Sequence, residues 1–340
     1  MPALEGGDRL VTRRRLLLIL GASALASPFR AHPQQQAIRR IGFLAGRSRS
    51  TPTHPDPFYD AFVDEMRKLG YVEGKNLVIE WRFADGKYER LPQLASELVR
   101  ANVEVIVTHS TPVTMAAHRA TSTTPIVTIG VGNPVYSGFA ASLARPGGNI
   151  TGLSVITPDL TSKHFELLKM LLPGATRIGV LLNSNNPTTL AGALKNHQDG
   201  AQRFGMEVVP ADAKSPEGIR QTFATMAEKG AQAVIVPADG LFLGQPRLLA
   251  ELGLAHRLPS LGAYREHVEA GVLISYGPNV DDYYRRAAVY VDKILKGAKP
   301  GDLPFEQPTK IHLAINRRTA SVLGISVPRE LLLRADEVFE

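Results

Sequence analysis

The chain has 340 residues, 44% of them apolar and 21% charged, and it contains no cysteine. That length exceeds one comfortable hydrophobic core, so two lobes are expected, and the composition leaves no room for long disordered or collagen-like stretches. The missing cysteines exclude disulfide frameworks, thiolate zinc sites and cysteine nucleophiles. Residues 1–40 hold five of the seven net positive charges, which leaves too thin a surplus elsewhere to track a phosphate backbone; no nucleic-acid partner is expected.

The N-terminus carries Thr12-Arg13-Arg14-Arg15 ahead of the apolar run Leu16 to Ala26, then Ser27, Pro28 and Gln34-Gln35-Gln36. This is the layout of a signal peptide, with residues 1–36 read as signal and linker and the periplasm as destination. Eleven residues at about 1.5 Å each fall well short of a roughly 30 Å hydrocarbon core. The adjacent arginines fit a twin-arginine signal and general secretion equally, and without cysteine there is no lipobox.

From Arg40 onward, short β-rich runs alternate with helix-period segments, as in βα units wound around a parallel sheet. Strands are expected at 41–45, 76–83, 103–108, 125–130 and 150–155. The first helix carries its own punctuation: Asp56 as cap, Pro57 at its first position, Phe58, Phe62, Met66 and Leu69 on one face, and Gly70 at its end. A second helix covers 88–100 and a third about 159–172. A similar series follows, with strands near 177–182, 206–210, 232–236, 259–262 and 271–276 and helices around 187–204, 216–230 and 240–256. Residues 279–296 read as one more helix capped by Asn279, and 300–308 as a connector. The stretch 309–340 then supplies one strand and one or two short helices. The fold class implied is α/β: two Rossmann-like lobes with parallel sheets, joined by a hinge. One lobe takes 38–155 plus about 277–300, the other 156–276 plus about 305–340.

Thr111-Pro112, Asn133-Pro134 and Asn186-Pro187 each put a capping side chain immediately before a proline where a strand should end. Each reads as a helix start, and in parallel sheets such starts gather at the carboxyl edge, where free N–H groups and the helix dipole attract anions. If the two halves face each other, those edges line one cleft able to grip a carboxylate from both sides. Each pair also has the plain explanation that it only caps its own helix.

Several chemistries lack their residues. Gly130-Val131-Gly132-Asn133-Pro134-Val135 is missing the third glycine of a dinucleotide loop, and there is neither a Walker loop nor a Gly-x-Ser-x-Gly elbow. The nine histidines form no His-x-His or His-x-x-x-His pair, so neither a metal nor a cofactor is expected. An enzyme is not the expectation.

Long segments resemble a known family: Leu69-Gly70-Tyr71-Val72-Glu73-Gly74-Lys75-Asn76, Ser142 through Gly152, Arg265 through Gly271, Tyr290 through Gly297, and Leu331-Leu332-Leu333-Arg334-Ala335-Asp336-Glu337-Val338. They are similar to periplasmic substrate-binding proteins of ABC transporters with the type I binding-protein fold, the branch that includes tryptophan- and tyrosine-binding members. That resemblance implies a ligand between the lobes, touched by loops after the strands. It also implies an ABC permease at the inner membrane as partner and a small carboxylate-bearing solute, an amino acid, as ligand; the protein is expected to be a monomer. The ligand-contact candidates are Ser110, Thr111 and Asn133 from the first half, and Asn185, Asn186, Asp239, Tyr264 and Glu266 from the second. Ser275 and Tyr276 lie near the hinge, and Asp239 or Glu266 is the partner for an ammonium group. Tyr59, with Phe58 and Tyr136, is a candidate wall around a side chain. His109 stands where family members commonly have a small residue. Two other uses of the fold stay open: a ligand-sensing module feeding a receptor, and an exported enzyme.

Overall fold

The computed structural model describes residues 38–48, 56–155, 158–186, 192–307 and 310–340. The signal-peptide reading and Pro187 fall outside these residues.

The first lobe opens with β1 (Arg39–Ala45), α1 (Pro57–Lys68) and β2 (Leu77–Phe83), followed by α2 (Leu91–Arg100), β3 (Val105–His109), α3 (Thr111–Ala120), β4 (Ile126–Val131) and β5 (Ile150–Ser154). The five strands form one sheet in the order β2-β1-β3-β4-β5, with every pairing parallel. Local chemistry sets α1 as the sequence suggests: Asp56 Oδ1 accepts from Phe58 N–H at 3.1 Å, and Phe58, Phe62 and Met66 face inward. At β5 a glycine is obligatory, because Gly152 has φ +137° and a β-carbon there would lie 2.1 Å from Thr128 O.

The second lobe contains α4 (Pro158–Leu171), β6 (Arg177–Leu182), α5 (Leu194–Arg203), β7 (Glu207–Asp212), α6 (Pro216–Glu228), β8 (Ala233–Val236), α7 (Gly240–Leu243), α8 (Pro246–Ala255), β9 (Ser260–Gly262), α9 (Arg265–Glu269) and β10 (Ile274–Pro278). The chain then returns to the first lobe as α10 (Val280–Leu295), which packs on α1 and on β3 and β4. It ends in the second lobe with β11 (Ile311–Asn316), α11 (Arg317–Leu323), α12 (Arg329–Arg334) and β12 (Glu337–Phe339). The second sheet has the order β12-β11-β10-β9-β8-β6-β7. The chain thus crosses between lobes after β5, after β10 and between Glu306 and β11, with Leu153 bridged to Glu306 beside the crossings. These crossings form the hinge of a type I binding-protein fold.

Three local expectations need correction. The second sheet is not wholly parallel, since β11 runs antiparallel to β10. The physical reason is the crossover: β10 leaves the lobe at the edge by which the chain later returns, so the returning strand must point the other way. The expected helix 240–256 is two helices, broken because Pro246 has no N–H for a continuing ladder and holds Gln245 at φ −130°, ψ 41°. Asn133-Pro134 opens a turn rather than a helix, with Asn133 Oδ1 accepting from Val135 and Tyr136 N–H. The start of the helix expected over 187–204 lies outside the described residues, which show it at Leu194–Arg203.

The lobes are sealed by a shared aromatic core. Phe43 meets Tyr59 and Phe62 edge-on at 5.4 Å and stacks on Trp81 at 4.8 Å, and Tyr284 of α10 stacks on Phe58. Leu243, Ala263 and Tyr264 of the second lobe belong to the same buried cluster. Each large side chain buried there is worth roughly 1.5 to 3 kcal/mol.

Candidate functional site

A cavity of about 120 Å³ lies between the lobes. By volume it compares with cavities of roughly 150 Å³ that accept a benzene-sized guest. Its first-lobe wall comes from the β3–α3 turn (His109, Ser110, Thr111) and from Gly130 and Gly132 at the end of β4. Its second-lobe wall comes from α4 (Leu160, Thr161, His164), the loop after β6 (Asn186), α5 (Asn196, His197), the loop after β8 (Asp239, Gly240), the loop after β9 (Tyr264) and the carboxyl half of β10 from Tyr276. All the strand contributions are carboxyl ends, the edge where helix N-termini open toward a ligand.

The β3–α3 turn is built to present its backbone. Ser110 sits at φ 74°, ψ 158°, a sparsely populated region for any residue but glycine, and its side chain makes no capping bond. Thr114 holds the turn from behind: its N–H and Oγ1 both donate to Ser110 O, at 3.1 and 2.9 Å. Thr114 Oγ1 can then only accept from Thr108 and Thr128, at 2.8 and 2.7 Å. Thr111 Oγ1 accepts from Gly132 N–H at 3.0 Å, tying the turn to β4. The result is a helix start whose first N–H groups have no intrahelical partner and whose N-cap hydroxyl is not used as a cap.

Asp239 is the single charged group among the described residues that line the cavity. It is buried and caps α7 by accepting from Leu241 N–H at 2.8 Å. Asn183 Nδ2 donates to its Oδ1 at 2.9 Å and Asn186 Nδ2 to its Oδ2 at 2.7 Å. Among the described residues no lysine or arginine pairs with it. Burial pushes its pKa up, and the three neutral hydrogen bonds pull it back. The next residue, Gly240, lets the lobes meet: a β-carbon there would lie 3.2 Å from Ser110 Oγ. The carboxylate and the helix start are therefore neighbours across the seam.

Of the residues picked out by sequence, Ser110, Thr111, Asn186, Asp239, Tyr264 and Tyr276 line the cavity. The other five are placed elsewhere. Asn133 is exposed in its turn, and Asn185 is exposed with its N–H bound to Asn183 Oδ1. Ser275 is buried within β10, paired opposite Ala314. Tyr59 is in the first-lobe core, its hydroxyl pushed up to about 12 mainly by burial. Glu266 lies in the first turn of α9, off the cavity lining, its carboxyl pushed up to about 7 by burial. Tyr136 is exposed and Phe58 belongs to the core.

Sequence reasoning missed His164 and His197, which come from separate helices and whose convergence no local pattern reports. It also missed Arg47, which sits behind His109. Arg47 ion-pairs with Asp56 at 2.8 Å, donates to Tyr284 Oη at 2.9 Å, and lies 5.0 and 5.2 Å over the Phe58 and Tyr59 rings. Its stem packs along the seam, 3.5 Å from where a β-carbon on Gly244 would be. Burial, reinforced by Arg47, pushes His109 down to about 3, and burial takes His164 to about 4. Both rings are neutral near neutral pH.

A polar cavity at facing strand ends, between lobes joined by three crossings, defines a two-lobed solute-binding protein. The chain belongs to the ABC transporter substrate-binding protein family, whose model matches residues 54–339. It is 27% identical over 276 residues to a tyrosine-binding protein of Clostridioides difficile strain R20291, covering 80% of this chain and 78% of that one. It is also similar to an ABC domain solved in complex with L-Trp from Streptococcus pneumonia, at 25% identity and TM-score 0.81 over 89% of this chain and 100% of that chain. A third relative is a substrate-binding protein with adhesive properties from Clostridium difficile in its ligand-free, open structure. It matches at 25% identity and TM-score 0.59 over 89% and 99%.

Proposed function

We propose that this chain is the exported solute-binding component of an ABC uptake system, and that its solute is an amino acid held in the interlobe cavity. The ligand carboxylate is assigned to Ser110 Oγ, Thr111 and the free N–H groups at the start of α3; the ammonium is assigned to Asp239, oriented by Asn186. Tyr264 and Tyr276 border the remaining space. An α-amino acid carries both charges on one carbon, so their partners must be adjacent. The observation that carries the reading is that adjacency: a buried carboxylate with no cation among the described residues abuts a strained, uncapped helix start. The tyrosine-binding and L-Trp-bound relatives support the ligand class. The signal-like N-terminus supports the periplasm, and the family supports a membrane permease as partner to a monomer that closes by hinge motion. Its output is binding rather than turnover.

A thermal-shift screen of the proteinogenic amino acids at saturating concentration tests this. At about 100 times Kd a ligand adds roughly 2.7 kcal/mol of stability, a rise of a few degrees in Tm. The reading predicts such a rise for at least one amino acid and none for its decarboxylated amine. Absence of any shift across the set contradicts it.

A further inference from the structure

The cavity has a second polar face, remote in the chain from the charge-binding turn. His164 and His197, 6% and 5% exposed, both border it, from α4 and α5. Their tautomers follow from their partners. His164 Nε2 lies 2.7 Å from Tyr276 O, a carbonyl that can only accept, so the proton is on Nε2. Its Nδ1 is a bare acceptor, buried and without a partner. His197 Nδ1 lies 2.7 Å from Ala193 O, which puts the proton on Nδ1 and leaves Nε2 as an acceptor. Among the described residues no group donates to His164 Nδ1. A buried acceptor left unmatched, as His164 Nδ1 is, is costly, and burial lowers the pKa of both rings and so favours their neutral forms.

No charged side chain other than Asp239 borders the cavity among the described residues. A charged ligand end brought to the histidines would be desolvated with no counter-charge, and a carboxylate end would set lone pairs against lone pairs. An apolar end would leave the acceptors as they are.

Resting on the amino-acid reading above, we infer that His164 and His197 form a donor-reading subsite that selects solutes whose side chain ends in an uncharged N–H or O–H. This specifies a chemical class within the amino acids, and it gives the two histidines a role in discrimination.

The test is calorimetric titration of the full chain with isosteric pairs that differ only in the donor: L-tyrosine against L-phenylalanine, L-tryptophan against 1-methyl-L-tryptophan, and L-threonine against L-valine. In whichever pair binds, the donor-bearing member is expected to bind about 10- to 100-fold tighter, the range set by leaving a buried acceptor unpaired. His197→Phe, which keeps a ring and removes the acceptor, is expected to cut that ratio to within about threefold, with circular dichroism checking the fold. Equal affinities within every binding pair overturn the inference and leave the amino-acid reading standing. A wild-type ratio that persists in a folded His197→Phe protein overturns the assignment to that ring. Failure of every amino acid to bind overturns the parent reading, and this inference with it.

Discussion

The two walls of the cavity are made differently. The first lobe supplies a contiguous run, His109, Ser110 and Thr111, and works mainly through backbone N–H groups and a strained turn locked by Thr114. The second lobe supplies side chains scattered from Leu160 to Tyr276, including the one carboxylate among the described lining residues and two neutral histidines. On the proposed reading this contrast is a division of labour: the first lobe grips the carboxylate, and the second fixes the ammonium and reads the side chain.

That division ranks the expected effects of substitution. Asp239→Asn should weaken the best amino-acid ligand by on the order of 100-fold or more, because it strands a buried ammonium; isothermal titration measures it. A loss below about fivefold would place the charge partner elsewhere. Gly152→Ala tests the first lobe as scaffold: a β-carbon would meet Thr128 O at 2.1 Å with the backbone at φ +137°. It should cost on the order of 3 kcal/mol in urea unfolding.

Ser110→Ala should weaken binding only about five- to tenfold, since it removes one neutral hydrogen bond and leaves the backbone donors in place. An effect as large as that of Asp239→Asn would erase the contrast between the walls. The smallest effect belongs to Glu266, outside the cavity. Its carboxyl rises from 4.5 to about 7 through burial, with Asp281 adding to the rise. A raised acid binds its proton more tightly when folded, so the stability it contributes is complete below pH 4.5 and is lost as the pH climbs to about 7. Glu266→Gln should remove a decline on the order of 1 kcal/mol between pH 5 and 8, after discounting for partial exposure, as read from unfolding midpoints.

The same contrast explains what the sequence could convey. The first-lobe wall was legible because it is local: a β-rich run, then Ser110-Thr111-Pro112, names a strand end and a helix start in consecutive residues. Asp56-Pro57 and Asn279 were legible as caps for the same reason, and Asn279 Oδ1 does accept from Asp282 N–H. The second-lobe wall was legible only where a residue sat in or just after a strand, as with Tyr276 and Asp239. His164 and His197 reach the cavity from helix interiors, which no spacing rule singles out. Asn133 failed as a helix start because the chain turns at Gly138, φ +75°, before a second helical turn can form. The antiparallel β11 was hidden because strand direction depends on which edge the chain re-enters, a property of the crossover rather than of Ile311–Asn316.

The most direct test of the central claim compares the best amino-acid ligand with its des-amino analogue on the wild type and on Asp239→Asn, by titration calorimetry. If Asp239 holds the ammonium beside the start of α3, removing the amino group should cost the wild type about 30-fold or more and the variant less than about threefold. Equal losses on both proteins would show that the two groups do not meet, and would contradict the account.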